Sequence, residues 1–227
     1  MINGNLKPQV TIILPTRNEG DGIVSIIESV KPYVDEILVV DGHSTDDTRT
    51  KAEATGARVV LDNGKGKGDG LRVGIKEAKG DIIVFFDADG SHEPGDIPAM
   101  VEPVKQGIAD MVLGSRAKGG SDEFEMNLDS LIRQMGSHIV TTIINYRFGS
   151  KLTDVENGFR AIKKDVAAAL NLNAIDFDIE QEMVMKALKK KYRVTEIPSH
   201  EFARKWGSSK LATSKGWKFI WRLLIEL

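Results

Sequence analysis

An uninterrupted apolar run, Ile82-Ile83-Val84-Phe85-Phe86, passes directly into Asp87-Ala88-Asp89-Gly90-Ser91-His92-Glu93-Pro94. Short, β-branched and aromatic, the run reads as a strand covered on both faces, and such strands belong to parallel sheets. Open α/β sheets bind their ligands at the carboxyl ends of these strands. Asp87 and Asp89 share one side if strand geometry continues for one more step, because side chains alternate with period two. Two hard oxygen donors followed by Ser91 suit a divalent cation that also holds phosphates, since Mg²⁺ typically takes one or two carboxylates plus substrate oxygens. A plain turn before Pro94 is the competing reading, Asp and Gly being ordinary turn residues.

The rest of the chain repeats this strand-loop-helix pattern. Val10 to Leu14 is a strand closed by Pro15, and Ile23, Val24, Ile26, Ile27 and Val30 follow at helical spacing. Glu36 to Val40 is a strand ending in Asp41, after which Ser44 or Thr45 is placed to cap a helix running to about Thr55, with Asp46 and Asp47 in its first turn. Arg58 to Leu61, Ala109 to Leu113, Gly158 to Ile162 and Arg193 to Ile197 are further strands. Helices are expected after Gly70, from Leu128 to Phe148, from Asp165 to Leu172 and from Ile179 to Lys190, and a mobile loop over Ala117 to Met126. This alternation predicts an α/β fold, Rossmann-like, with a mostly parallel central sheet and helices on both faces.

At 227 residues and 41% hydrophobic content the chain can bury a full core. A net charge of -2 leaves no basic excess for nucleic acid as the main partner. Cysteine is absent, which removes disulfides, thiolate zinc sites and a cysteine nucleophile. Met1 to Pro15 has no secretory pattern and no apolar run nears the roughly 18 residues of a membrane span, so a cytoplasmic place is expected. The last residues carry Trp217, Ile220, Trp221 and Leu224 at helical spacing, with Lys215, Lys218 and Arg222 mostly elsewhere on the wheel. This amphipathic helix, at residues 213–227 beyond a domain at 1–212, fits either a membrane interface or packing on the domain.

Strand ends present Arg17-Asn18-Glu19, Asp41, Asp87-Asp89 and Ser115-Arg116. A parallel sheet gathers all of them at one edge. The Gly64 to Gly70 loop lacks the frame of a nucleotide P-loop and reads first as a surface turn, although Lys67 can reach a diphosphate. His92, His138 and His200 read as scaffold or surface residues, with His92 bonding a loop carbonyl.

The sequence resembles the GT-A-fold, nucleotide-sugar-dependent glycosyltransferases, and within them the polyprenyl-phosphate (dolichyl-phosphate) mannose synthases. The resemblance rests on Ile13-Leu14-Pro15-Thr16-Arg17-Asn18-Glu19, Glu36 to Asp41 with Ser44-Thr45-Asp46, Gly66-Lys67-Gly68, Asp87-Ala88-Asp89 with Ser91-His92 and Pro94, Gly114-Ser115-Arg116, Asp154 with Gly158-Phe159-Arg160, and Glu196-Ile197-Pro198 followed by Phe202, Arg204 and Gly207 to Leu211. The last group is characteristic of the lipid-phosphate branch. Three departures stand out: Gly42-His43 after Asp41, Gly90 after Asp89, and Val155-Glu156-Asn157 before Gly158.

The resemblance implies that Pro15, Arg17, Glu19 and Asp41 line a nucleoside pocket, with Lys67 and Ala88 also at the nucleotide sugar. It implies that Asp87, Asp89 and Ser91 hold Mg²⁺ or Mn²⁺, and that Arg116, Arg133, Ser137, Arg204 and Lys210 gather the phosphates of donor and acceptor. Asp89, Arg116 and Asp154 are then the catalytic candidates, Asp154 as a sugar contact or base. The implied reaction is inverting transfer of a hexose, foremost mannose from GDP-mannose, to a polyprenyl phosphate. It would occur peripherally at the inner membrane face, with a membrane-embedded partner or an anchor beyond this chain. A UDP-sugar donor, a sugar-hydroxyl acceptor, and a non-catalytic nucleotide-sugar-binding module are the alternatives. A phosphate monoester with a second pKa near 6 is already largely dianionic at neutral pH, so it can attack without a strong base. A sugar hydroxyl usually needs one.

Overall fold

A computed structural model describes residues 9–122, 128–206 and 216–227, with side chains from Gln134 onward in the helix that begins at Leu128. In chain order the elements are β1 (Val10–Thr16), α1 (Ile23–Val30), β2 (Glu36–Asp41), α2 (Thr48–Ala54), β3 (Arg58–Leu61), α3 (Lys67–Glu77), β4 (Ile82–Phe85) and α4 (Ile97–Lys105). They continue as β5 (Met111–Ser115), α5 (Arg116–Gly119), α6 (Leu128–Phe148), β6 (Arg160–Lys163), α7 (Lys164–Ala169), α8 (Ile179–Lys189), β7 (Val194–Pro198) and α9 (Trp217–Glu226). The strands form a seven-stranded sheet in the order β3-β2-β1-β4-β6-β5-β7.

Period-two alternation divides the core between the two faces of this sheet. Ile13, Ile83 and Phe85 point to a layer completed by Leu71 and Ile75 of α3, Val140 and Ile144 of α6 and Met183 and Val184 of α8. Val10, Ile12, Leu14, Ile82 and Val84 point the other way, onto Ile23, Ile26 and Ile27 of α1 and Met100, Val101 and Val104 of α4. Both faces are therefore covered, as the unbroken apolar run of β4 requires.

β6 departs from the parallel pattern: it runs antiparallel to both neighbours, pairing Arg160 with Phe85 of β4 and with Leu113 of β5. An antiparallel strand starts where its parallel neighbours end. The segment leading into β6, which carries Asp154, thus arrives at the edge where β4 and β5 finish.

Several boundaries differ from the sequence expectation. α2 starts at Thr48, and neither Ser44 nor Thr45 caps it; Ser44 Oγ instead accepts from Asn18 N at 2.8 Å, tying the β2 loop to the β1 loop. α3 opens at Lys67 itself, which turns the second half of the glycine and lysine loop into a helix. β4 stops at Phe85, so Asp87 and Asp89 lie beyond the strand, and the period-two condition for their shared side is not met. The expected loop at Ala117 to Met126 begins as the short helix α5 and a bridge at Ser121; residues 123–127 lie outside the described residues.

α9 packs with its charged side inward. Arg222 Nε meets Asp178 Oδ2 at 2.9 Å and its Nη1 meets Asn173 Oδ1 at 2.8 Å. Lys218 Nζ meets Asp176 Oδ2 at 2.8 Å, and Leu223 is the one apolar residue of this helix in the core. Trp217, Ile220, Trp221 and Leu224 are 57–64% exposed. No helix among the described residues is long and apolar enough to cross a membrane.

Candidate active site

The carboxyl edge of the sheet brings together the ends of β1, β2, β4 and β5 with the segment entering β6. On its β1–β2 side, Pro15 pairs with Val40 and Thr16 with Asp41. Asp41 is fully buried; its Oδ2 accepts from Ser44 N at 3.0 Å and lies 3.5 Å from Arg49 Nε. Its Oδ1 has no hydrogen-bond partner among the described residues. A buried carboxylate oxygen left over in this way costs desolvation unless a ligand donor reaches it, and a ribose hydroxyl or base N–H is such a donor. The β1 loop wraps the same corner: Asn18 takes a positive φ of 57°, and Glu19 is buried, its amide donating to Thr48 Oγ1 at 2.9 Å. Arg17 stands exposed at the rim.

Beyond β4 the two aspartates are each matched with a cation from elsewhere in the chain. Lys67 Nζ lies 2.8 Å from Asp87 Oδ1 and 2.9 Å from Glu180 Oε1. Burial alone would raise the Asp87 carboxyl, but the Lys67 ammonium holds it well below the usual carboxylate range. Burial alone would likewise lower Lys67, and the Asp87 and Glu180 charges instead push it above the usual lysine value. The ammonium expected at a diphosphate is thus a counter-ion buried between two carboxylates. Ala88, expected at the nucleotide sugar, is a buried member of the core.

Asp89 is held differently. Its Oδ1 accepts from Ser91 N at 3.0 Å and Ser91 Oγ at 2.6 Å, while Oδ2 lies 2.8 Å from Arg204 Nη1. These donors suit Mg²⁺ or Mn²⁺: oxygen ligands on a two-carboxylate motif whose local field already attracts a lysine and an arginine. Among the described residues no three His, Cys, Asp or Glu side chains gather as a complete metal cage. A cation here would therefore draw its remaining ligands from substrate oxygens or water, as Mg²⁺ commonly does.

On the β5 side, Arg116 and Asp154 form a fork. Nε donates to Oδ2 at 2.6 Å and Nη2 to Oδ1 at 3.0 Å, while Nη1 reaches Glu201 Oε1 at 3.3 Å. Burial alone would raise the Asp154 carboxyl, yet Arg116 holds it below its ordinary value. Asp154 is thus a poor base because its proton affinity is low, and Arg116 arrives at the site already paired with a carboxylate. Glu196 fixes the segment from behind, accepting from Thr153 N at 2.6 Å and Asp154 N at 2.9 Å. Arg160, buried, braces it with bonds to the Glu180 and Asn157 carbonyls.

Ser137 on α6 faces Glu156, whose carboxyl burial pushes up to about 7 against the lowering effects of Ser137 and Arg116. The Arg133 side chain and Lys210 lie outside what is described. Among the described residues His92 bonds no loop carbonyl. Its buried ring stacks on Phe159 with centroids 5.3 Å apart and meets Phe86 edge-on at 5.3 Å, and its Nε2 is 3.7 Å from Asp87 Oδ2. His200 is scaffold, joining Gly119 O at 3.0 Å and Asp122 Oδ1 at 2.9 Å.

Glu180, Glu156 and Glu201 enter the site without having been singled out from the sequence. Glu180 opens α8 in Ile179-Glu180-Gln181-Glu182, where all of these residues are buried. A buried first turn cannot be told from a solvated acidic one by composition. Glu156 did leave a signal, as a carboxylate inside the segment that departs from the resembled pattern.

Comparison with known proteins gives concordant findings. Residues 11–170 match the family described as "Glycosyl transferase family 2". The chain is 27% identical over 229 residues, 99% of its length, to the low-salt glycan biosynthesis hexosyltransferase Agl6 of Haloferax volcanii, and covers 55% of that protein. It is 34% identical over 213 residues, 89% of its length, to a dolichol-phosphate mannosyltransferase of Pyrococcus furiosus, and covers 59% of it. The chain thus spans little more than half the length of these curated relatives. Among solved structures, glucosyl-3-phosphoglycerate synthase of Mycobacterium tuberculosis, in complex with Mn²⁺, UDP and glucosyl-3-phosphoglycerate, superposes with a TM-score of 0.74 at 22% identity, covering 96% of this chain and 80% of that one. The fold is shared with that enzyme.

Proposed function

Because the chain belongs to glycosyl transferase family 2, we propose that it transfers a hexose, foremost mannose from GDP-mannose, to a polyprenyl phosphate with inversion at the anomeric carbon. The observation that carries the reading is the docking of the segment from Phe202 to Trp206 on Asp89 and Ser91. Phe202 and Arg204 belong to the residue group that resembles the lipid-phosphate branch, and they lie against Asp89 and Ser91: Phe202 N donates to Ser91 O at 2.8 Å and Arg204 pairs with Asp89. The dolichol-phosphate mannosyltransferase of Pyrococcus furiosus, at 34% identity, supports the same acceptor class.

Asp87, Asp89 and Ser91 would hold Mg²⁺ or Mn²⁺, which supplies charge neutralisation for the departing diphosphate when bound. The remaining roles fall to the chain itself. Asp41 offers its free oxygen to the nucleoside. Arg116 is presented in one orientation by the Asp154 fork, so its cation can be shared with a phosphate without searching rotamers. A dianionic phosphate nucleophile needs no base, which accords with an Asp154 whose proton affinity is low.

The outward face of α9 is the basis for proposing that the enzyme works peripherally at a membrane. Tryptophans at the polar-apolar boundary are favoured there, and the charged face is already satisfied by the protein. The test of the whole reading is transfer from radiolabelled GDP-mannose, UDP-glucose or UDP-N-acetylglucosamine to a short polyprenyl phosphate, with and without Mg²⁺ or Mn²⁺. Label entering the lipid phase from GDP-mannose, only with metal, is the expected result. Label from a UDP-sugar would move the donor; a donor that binds while no lipid is labelled would overturn the acceptor. A non-catalytic binding role is eliminated if wild type turns over and Asp89→Ala does not.

A further inference from the structure

The two carboxylates beyond β4 have counter-ions of different kinds. Lys67 is clamped between Asp87 and Glu180, its side chain 16% exposed. Arg204 covers Asp89 Oδ2 at 2.8 Å, and its side chain is 30% exposed. Ser91 occupies the other oxygen of Asp89 through both its amide and its hydroxyl. The oxygen that Arg204 covers is therefore the one Asp89 has to offer a metal ion.

Backbone contacts deliver Arg204 to that oxygen. Lys205 N and Trp206 N donate to Asp89 O at 3.0 and 3.3 Å, and Phe202 N donates to Ser91 O. The Trp206 indole lies over two glycines: a Cβ built on Gly22 or Gly90 would come within 2.6 or 2.7 Å of it. Gly90, at φ 78°, carries both the conformation and the room that this approach needs. The departure at Gly90 thus has a structural counterpart in the seat of Trp206.

We propose that Arg204 is an exchangeable counter-ion: in the nucleotide-free chain it occupies the metal-binding oxygen of Asp89, and it passes to a phosphate when metal and diphosphate enter together. The inference rests on the assignment of Asp89 as a metal ligand. A guanidinium and a divalent cation repel one another and compete for the same oxygen. Metal arriving alone must displace Arg204 and leave it without that carboxylate, whereas metal arriving with a diphosphate offers Arg204 a bidentate phosphate partner. The exchange makes metal weak without nucleotide and couples the two ligands, each raising the other's affinity by the same factor. Arg204 acts here through Asp89 and is a positioning residue.

The test is Mn²⁺ binding to the full chain, read from loss of the free Mn²⁺ electron paramagnetic resonance signal, for wild type, Arg204→Met and Arg204→Lys. Nucleotide-free Arg204→Met is expected to bind Mn²⁺ about fivefold more tightly than wild type, the scale of one partly exposed ion pair. Arg204→Lys, which keeps the cation, should bind as wild type does. Addition of GDP or UDP should tighten Mn²⁺ binding more in wild type than in Arg204→Met. If Mn²⁺ binds with diphosphate present but nucleotide-free Arg204→Met is no tighter, the exchange is wrong while the metal assignment stands. If no Mn²⁺ binds even with diphosphate, the metal assignment and the exchange both fall. Tightening in Arg204→Lys equal to that in Arg204→Met would reduce the effect to packing and overturn it as well.

Discussion

Asp154 and Glu156, two residues apart, are acids in opposite conditions, and the difference is set by a single arginine. Asp154 holds Arg116 in a fork, so Asp154→Ala leaves a half-buried guanidinium with, among the described residues, the longer contact to Glu201. Loss of one partner of a buried pair costs about 3 kcal/mol, which should appear in urea unfolding as a lower midpoint with an unchanged slope. Among the described residues Glu156 has no such fork, and burial pushes its folded pKa up to about 7, above the usual glutamate value of about 4.5. Across that window the folded chain keeps a proton that the unfolded chain has released. Its contribution therefore falls as pH rises from about 4.5 to 7, and stability measured against pH should be flatter in Glu156→Gln than in wild type. A difference curve with no slope between pH 5 and 7 would refute the shift. The acidic pair beyond β4, Asp41 and Arg116 were legible because each ends a strand pattern. The neutralisation of Arg116 by Asp154, and of Lys67 by Glu180, was not legible, since pairing across 38 or more residues is a property of topology rather than of local pattern.

Among the elements, α9 shows how far a helical wheel can be read. The sequence separates Trp217, Ile220, Trp221 and Leu224 from the charged residues, yet a wheel has no inside. The ion pairs made by Lys218 and Arg222 to Asp176 and Asp178 determine that the charged side faces the domain. Those carboxylates lie some forty residues away, in a segment that sequence reading left without assignment. Arg222→Ala should leave Asp178 and Glu182 facing a gap at a cost of about 3 kcal/mol, seen as faster amide exchange over α9 with the sheet unchanged. Trp217→Ala with Trp221→Ala touches only exposed side chains. The double variant should keep the thermal midpoint and lose most of its co-flotation with vesicles of mixed neutral and anionic lipid. Equal flotation of wild type and double variant would sink the membrane reading of this helix.

At the scale of the whole molecule, the layered α/β architecture follows from the strand-helix alternation, whereas the reversed direction of β6 was hidden. Gly158 to Ile162 reads as a strand from its composition, but period-two patterning has no sign and cannot give direction. That direction brings Asp154, Glu156 and Asn157 to the edge shared by β4 and β5, and it joins them to the strand ends gathered there. The site draws on both halves of the chain, from Asp41 to Arg204, so a ligand that bridges them stabilises the folded state as a unit. A nucleoside diphosphate with Mn²⁺ at about a hundred times its dissociation constant adds about 2.7 kcal/mol by mass action. For a chain of 227 residues this corresponds to a rise in thermal midpoint of roughly 5–10 °C. Asp89→Ala should lose the part of the rise that depends on Mn²⁺ while keeping a smaller one from the nucleoside contact at Asp41. An undiminished Mn²⁺-dependent rise in Asp89→Ala would move the metal away from this edge, whereas loss of the entire rise would mean that the nucleoside contact does not bind without metal.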